Sequence, residues 1–215
     1  MIKLNGTPVS NYYNMAKLAM IEKDMAFEEI ANPASQDAAY KKKSPMGKMP
    51  FIETEAGCLA ETSVILDYLE AIKPLPALYP GDAFAKAKTQ EVMRIVEHYI
   101  ELAARRHYGH VFFKAPKSDA AVAEVRPVIE NGLAALQQLC AFGPYLMGKE
   151  FTYADIVAHN SFGYANMVTQ AIYDWDIVAA VPGLDDALAA TAARASTKRV
   201  DADQQAALQA FMAAQ

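Results

Sequence analysis

The chain has 215 residues, 53% of them hydrophobic and 21% charged, with a formal net charge of −5. That supplies enough apolar surface for one large domain or two small ones, and the composition is that of a globular chain rather than a disordered one. The acidic balance argues against the phosphate backbone of nucleic acid as the main partner, because such binding rests on basic patches.

The two cysteines, Cys58 and Cys140, are far apart, and the four histidines form no HExxH or Cys/His cluster, so no metal site is expected. Both cysteines read as small core residues. No uncharged apolar run approaches the roughly 20 residues needed to span a bilayer. The opening MIKLNGTPVS reads as a strand, not as a charged region followed by an apolar run, so no secretion signal is expected. The expectation is a cytoplasmic protein with reduced thiols, with no membrane and no nucleic acid among its partners.

Ile2–Leu4 reads as a short strand. Ser10-Asn11 offers a helix cap, followed by Met15, Leu18, Ala19 and Ile21 at helical spacing. Ala26–Ile30 reads as a second strand. A polar segment follows, in which Lys41, Lys42 and Lys43 read as a solvated face. Pro50 opens a third strand, a hairpin turns at Glu55-Ala56-Gly57, and a helix begins at Glu61-Thr62. This order, βαβ, loop and helix, then ββα, is that of a thioredoxin-like fold over residues 1–73. Residues 74–83, with Pro74, Pro76, Pro80 and Gly81, read as a linker. Beyond it the strand signals stop. Residues 84–113 read as one long helix and 119–141 as another. Thr152 and Asp155 have the spacing of a capping box, with Phe151 and Ile156 placed for a hydrophobic staple. Residues 84–215 are expected to form an all-helical domain.

The stretch 44–67, SPMGKMPFIETEAGCLAETSVILD, carries the functional signal. Backbone at Met49 can pair with an extended peptide. Backbone N–H groups and the Thr62 hydroxyl at the helix start can hold a carboxylate, while Glu61 can hold an ammonium. A ligand with a peptide backbone at one end and a free amino acid at the other fits both features, and glutathione is such a ligand.

Ser44-Pro45-Met46-Gly47-Lys48-Met49-Pro50, followed by Glu61-Thr62 and the helix Ser63-Val64-Ile65-Leu66-Asp67-Tyr68-Leu69, resembles the glutathione-binding half of the soluble glutathione transferases. Phe151-Thr152-Tyr153-Ala154-Asp155-Ile156 is similar to the segment that opens a buried helix in that family's C-terminal domain. The resemblance implies a thioredoxin-like domain plus an all-helical domain, with glutathione as co-substrate and a homodimer. It also implies a cis Met49–Pro50 bond exposing the Met49 backbone to the cysteinyl part of glutathione, Glu61 and Thr62 on its γ-glutamyl group, and Lys48 near its glycine carboxylate.

In serine-type members the thiol-activating serine falls at Ser10. Ser10 reads equally as a plain helix cap. Asn11 stands where those members have proline, and Asn11 or Tyr12 can each donate to a thiolate instead. Tyr13 reads as packing. For the electrophile, His107, Tyr108, Phe112 and Phe113 are aromatic enough to line an apolar pocket, joined by Tyr164 and Met167. Arg105 and Arg106 read as groups for an anionic substrate or for solvent. The expected activity is conjugation of glutathione to a small hydrophobic electrophile. Glutathione-dependent peroxide or disulfide reduction on the same site, and a non-enzymatic binding protein of the same fold, are the alternatives.

Overall fold

Four strands form one mixed sheet in the order β2-β1-β3-β4: β1 (Ile2–Gly6), β2 (Phe27–Ala31), β3 (Phe51–Thr54) and β4 (Gly57–Ala60). The computed structural model describes residues 1–213. These strands belong to the first of two compact units, residues 1–78 together with a helix near the C-terminus. The α1 helix (Asn11–Glu22) connects β1 to β2, which pair in parallel, Ile2 opposite Phe27 and Gly6 opposite Ala31. β3 is antiparallel to β1, with Asn5 opposite Phe51, and antiparallel to β4, with Phe51 opposite Ala60. The short helix α2 (Ala38–Lys41) precedes β3, and α3 (Thr62–Ile72) follows β4. Leu4, Phe51 and Ile52 of the sheet, Leu18 and Met20 of α1, and Ile65, Leu66 and Leu69 of α3 are fully buried.

Two buried lysines tie this unit together. Lys23 donates to the carbonyls of Lys73 and Pro76 at 2.7 and 2.9 Å and pairs with Glu70 at 2.6 Å. Glu70 in turn accepts from the Leu78 N–H. The proline-containing segment after α3 is therefore bound down through Leu78. Lys17 pairs with Glu29 on β2 and with Asp203, each at 2.7 Å.

The second unit, residues 79–192, is helical. It holds α4 (Ala83–Ile95), a π-helical turn (Val96–Glu101), α5 (Leu102–Arg105), α6 (Tyr108–Phe113), α7 (Asp119–Leu139), α8 (Tyr153–Tyr173) and α9 (Leu184–Ala192). The expected single helix over 84–113 is thus broken. The buried stripe Val92, Met93, Val96, Ile100, Ala103 and Ala104 runs through the π-helical turn, which is why its spacing reads as one helix. The helix runs on through the π-helical turn to Arg105, which pairs one turn back with the fully buried Glu101, and the chain turns at His107, whose buried ring is 2.8 Å from the Tyr173 hydroxyl. Gly132 on α7 allows the π-helical turn to approach closely, since a Cβ there would lie 2.8 Å from both Tyr99 Cβ and Ile100 Cδ1.

The capping box at α8 is formed. The Asp155 carboxylate accepts from the Thr152 N–H at 2.8 Å and also from the Leu146 N–H at 2.8 Å. The helix α10 (Ala195–Ala213) differs from expectation, because it groups with the first unit and not with the helices that precede it. Asp203 reaches Lys17, and Arg194, just before α10, forms a two-pronged pair with Glu22 at 2.8 and 2.6 Å. Both anchors are α1 side chains. Cys58 is not a core residue: it is exposed, in one cross-strand row with Lys3 and Glu53. Cys140 is half-buried, and burial pushes its thiol up to about 12.

Candidate active site

One end of the sheet gathers the predicted residues of the first unit. Asn5, Phe51 and Ala60 stand side by side across β1, β3 and β4. The chain beyond Asn5 leads to Ser10, the residue before Phe51 is Pro50, and the residue after Ala60 is Glu61. Ser10, the Met49–Pro50 peptide and the Glu61–Thr62 pair therefore leave the sheet at the same end. The hydroxyl of Thr7 lies 3.6 Å from the Met49 sulfur, which joins the β1–α1 loop to the β3 entry. The Met49–Pro50 peptide is cis.

Ser10 is the N-cap of α1. Its backbone is extended, and its Oγ accepts from the Tyr13 N–H at 3.3 Å. The oxygen is the acceptor in that bond, so its own proton is left to donate. No acidic side chain lies in the first turn of α1, so the positive end of the helix is not offset there. Asn11 is buried and Tyr12 half-buried. Asn14 Nδ2 donates to the Pro8 carbonyl at 2.9 Å and holds the loop from within α1.

α3 begins differently. Glu61 occupies its N-cap position at φ 66°, ψ 114°, with no side-chain cap bond. The Glu61 side chain therefore does not cap the first-turn N–H groups of α3, and such groups favour an anion. Thr62 is buried at that start and Glu61 is exposed. A non-glycine residue in this region of backbone space costs on the order of 1–3 kcal/mol and persists where the surroundings enforce it. Lys48 is exposed, while its carbonyl is fixed by the Tyr40 hydroxyl at 3.1 Å and the Ser44 hydroxyl at 2.7 Å. This bracing holds the backbone that leads into Met49. The lysine run 41–43 is exposed, with Lys43 paired to Glu53 at 2.8 Å.

In the second unit Tyr108, Phe112 and Tyr164 form an aromatic cluster. Ring centroids are 5.1 Å apart for Tyr108–Phe112, 5.8 Å for Phe112–Tyr164 and 6.0 Å for Tyr108–Tyr164. Arg105 lies over the Tyr108 ring at 4.7 Å and is held by the buried Glu101. Burial, and then the Glu101 charge, push the Tyr108 hydroxyl upward, so it remains protonated. His107 does not join this cluster. It is 2% exposed, and burial pulls its pKa down. The Tyr173 hydroxyl donates to the Val122 carbonyl at 3.1 Å, so the proton between His107 and Tyr173 belongs to Nε2 of the histidine. Arg106 pairs with Glu124 at 2.6 Å. Phe113 and Met167 are exposed.

Sequence reasoning missed the positive φ of Glu61, because glycine and not glutamate is the residue that signals that backbone region, and it gave Tyr13 no role beyond packing. Among the described residues no group of three or more His, Cys, Asp or Glu side chains is arranged to hold a metal ion, and no helix is long and apolar enough to cross a membrane.

The family described as "Glutathione S-transferase, N-terminal domain" matches residues 4–77, and "Glutathione S-transferase, C-terminal domain" matches residues 119–190. A glutathione S-transferase of Pseudomonas putida is 39% identical over 212 residues, covering 99% of this chain and 96% of that protein. Glutathione transferase F2 of Populus trichocarpa superposes with a TM-score of 0.81 at 18% identity, over 96% of this chain and 100% of that one. A glutathione S-transferase of Methylobacterium radiotolerans, solved in complex with glutathione sulfonate, has a TM-score of 0.76 at 25% identity, over 93% of each chain. The chain belongs to the glutathione S-transferase family.

Proposed function

We propose that this glutathione transferase ionises the thiol of bound glutathione through the hydroxyl of Ser10 and adds the sulfur to a small hydrophobic electrophile. A free thiol has a pKa near ~8.5, so only a few per cent is thiolate at pH 7. Lowering it by about two units takes on the order of 2.7 kcal/mol of preferential thiolate stabilisation. A hydroxyl donor at the positive end of a helix supplies stabilisation of that kind.

One observation carries the proposal: Ser10 Oγ accepts from the Tyr13 N–H at the start of α1, so its proton is free for a thiolate. Asn11 and Tyr12 are the competing donors. In this reading the Met49 backbone pairs with the cysteinyl unit of glutathione. The γ-glutamyl carboxylate takes the open N–H groups at the start of α3 and the Thr62 hydroxyl, its ammonium takes Glu61, and Lys48 meets the glycine carboxylate. The thiol proton leaves to solvent, and a sulfur lone pair forms the new carbon–sulfur bond while the electrophile's leaving group, halide in an aryl halide, departs with its bonding electron pair. Tyr108 and Phe112 supply apolar contact for that second substrate.

The reading includes a homodimer, supported by partly exposed Val64 on α3 and by Tyr99 and Leu102 around the end of the π-helical turn, and a cytoplasmic location, supported by the free state of both cysteines. Sedimentation at micromolar concentration tests the dimer.

The test of Ser10 is the thiolate absorbance of bound glutathione against pH. With Ser10→Ala the apparent thiol pKa rises and turnover at pH 7 falls. If the titration is unchanged in Ser10→Ala and moves in Asn11→Ala or Tyr12→Phe, the donor is that neighbour instead.

A further inference from the structure

Tyr13 links Ser10 to the end of β1. Its N–H donates to Ser10 Oγ, and its ring lies against Gly6 at the end of β1. A Cβ at Gly6, whose φ is +149°, would lie 2.5 Å from Tyr13 Cδ2 and 3.4 Å from Met49 Cβ. The ring therefore requires glycine at that position, and the strand end, the tyrosine and the β3 entry close on one another there. At its far end the Tyr13 hydroxyl donates to Glu29 Oε2 at 2.6 Å. The phenol is 1% exposed, and its hydroxyl is committed to Glu29, so it is not itself a thiol donor.

The anchor extends further. The Glu29 oxygen that accepts from Tyr13 also receives Lys17 Nζ at 2.7 Å, and Lys17 reaches Asp203 on α10 at the same distance. Lys17 is 2% exposed. A buried ammonium persists only where carboxylates and hydrogen bonds satisfy it, and removing one partner leaves the charge uncompensated. Glu29, Lys17 and Asp203 are the charged groups that bear on the Tyr13 hydroxyl, and they come from β2, α1 and α10.

We propose, on the basis that Ser10 is the thiol donor as proposed above, that Tyr13 is the positioning residue for the Ser10 hydroxyl, anchored by Glu29, Lys17 and Asp203. The C-terminal helix is thereby part of the support of the glutathione site. When the phenol is tied to Glu29, the Tyr13 N–H stays aimed at Ser10 Oγ, and the serine proton is turned away from the helix. When the tie is cut, α1 loses a fixed point within its first turn, and the hydroxyl is aimed less well. Supporting groups of this kind decide whether a site is held to the sub-ångström tolerance that it needs.

Tyr13→Phe tests this, because it keeps the ring packing and the N–H and removes only the bond to Glu29. The measurements are the pH titration of bound glutathione thiolate and the steady-state constants, in wild type, Tyr13→Phe, Ser10→Ala and the double variant. In Tyr13→Phe the apparent thiol pKa is expected to rise. The turnover at pH 7 should fall roughly threefold to tenfold, less than an ångström of misplacement brings, while KM for glutathione stays within about twofold. In the Ser10→Ala background Tyr13→Phe should add nothing. Asp203→Asn, at the half-exposed end of the chain of contacts, should move the titration in the same direction by less, and it carries the test if Tyr13→Phe does not fold. A wild-type titration in Tyr13→Phe, alongside a shifted one in Ser10→Ala, overturns the positioning role alone. An unshifted titration in Ser10→Ala overturns the donor, and the positioning role falls with it. A Tyr13→Phe effect that persists undiminished without the Ser10 hydroxyl also overturns it, because the tyrosine then acts by another route.

Discussion

Phe51 pairs with Ala60 across the β3–β4 hairpin, so the residues that flank them outside the sheet, Pro50 and Glu61, emerge beside one another. This single register decides that the Met49–Pro50 peptide and the start of α3 leave the sheet side by side. A slip of one residue would have turned one of the two to the opposite face.

Glu61 combines a positive φ with a charged side chain, and the two have opposite effects on stability and binding. Glycine adopts this backbone region without steric cost. Glu61→Gly is therefore expected to stabilise the fold by about 0.5–1 kcal/mol in denaturant titration, from relief of strain offset by chain entropy. The same variant should weaken glutathione binding by about 1.5–3 kcal/mol in calorimetry, through loss of a charge-assisted contact. Unchanged affinity would remove Glu61 from the site.

Phe112 meets Tyr108 and Tyr164 edge to face. Aromatic pairs of this geometry contribute about 0.5–1.5 kcal/mol each beyond their area. In steady-state assays with an aryl halide, Phe112→Ala should raise KM for the electrophile several-fold and leave KM for glutathione within about twofold. An equal rise in both would mean that Phe112 acts on the fold, not on the second substrate.

Asp155 is fully buried and accepts backbone N–H groups from Leu146 and Thr152. Asp155→Ala leaves both donors without a partner and should cost about 2–4 kcal/mol, by thermal or urea unfolding. Burial raises the carboxyl pKa above its ordinary value, against the smaller opposing effect of its hydrogen bonds. The folded state then binds the proton more tightly than the unfolded one. This contribution is complete below the unfolded value and is lost as pH rises through the raised folded value. The stability difference between wild type and Asp155→Asn should accordingly shrink as pH rises from the acid side. A difference that grows would show that the hydrogen bonds outweigh burial.

Gly132→Ala forces a Cβ to within 2.8 Å of Tyr99 Cβ and Ile100 Cδ1. The expected cost is about 1–3 kcal/mol, the range for overpacking a filled core, read as a lower unfolding midpoint. Gly163→Ala on α8 is the control, since nothing lies within 4 Å of a Cβ there, and replacing glycine in a helix interior should raise stability by about 0.5–1 kcal/mol.

The sequence by itself determined what local chemistry controls. Ser10 caps α1, Thr152 and Asp155 close the box at α8, and the hairpin turns at residues 55–56, because each depends on residues only a few positions apart. The order of elements in residues 1–72 was legible for the same reason. What depended on distant partners was not. The helix over 84–113 passes through a π-helical turn and breaks at residues 106–107, where the buried His107 ring meets Tyr173, and the apolar spacing before the break conceals it. Cys58 is exposed in one cross-strand row with the exposed Lys3 and the half-buried Glu53, and which residues share that row is decided by sheet register and not by the strand alone. Asp203 and Arg194 carry α10 to α1 through ion pairs spanning 186 and 172 residues, and no periodicity records a pairing at that separation. Tyr13 shows the division within one residue. Its N–H bond to Ser10 follows from helix geometry three residues apart, whereas its hydroxyl bond to Glu29 exists only because β1 and β2 lie parallel and bring that carboxylate under the helix.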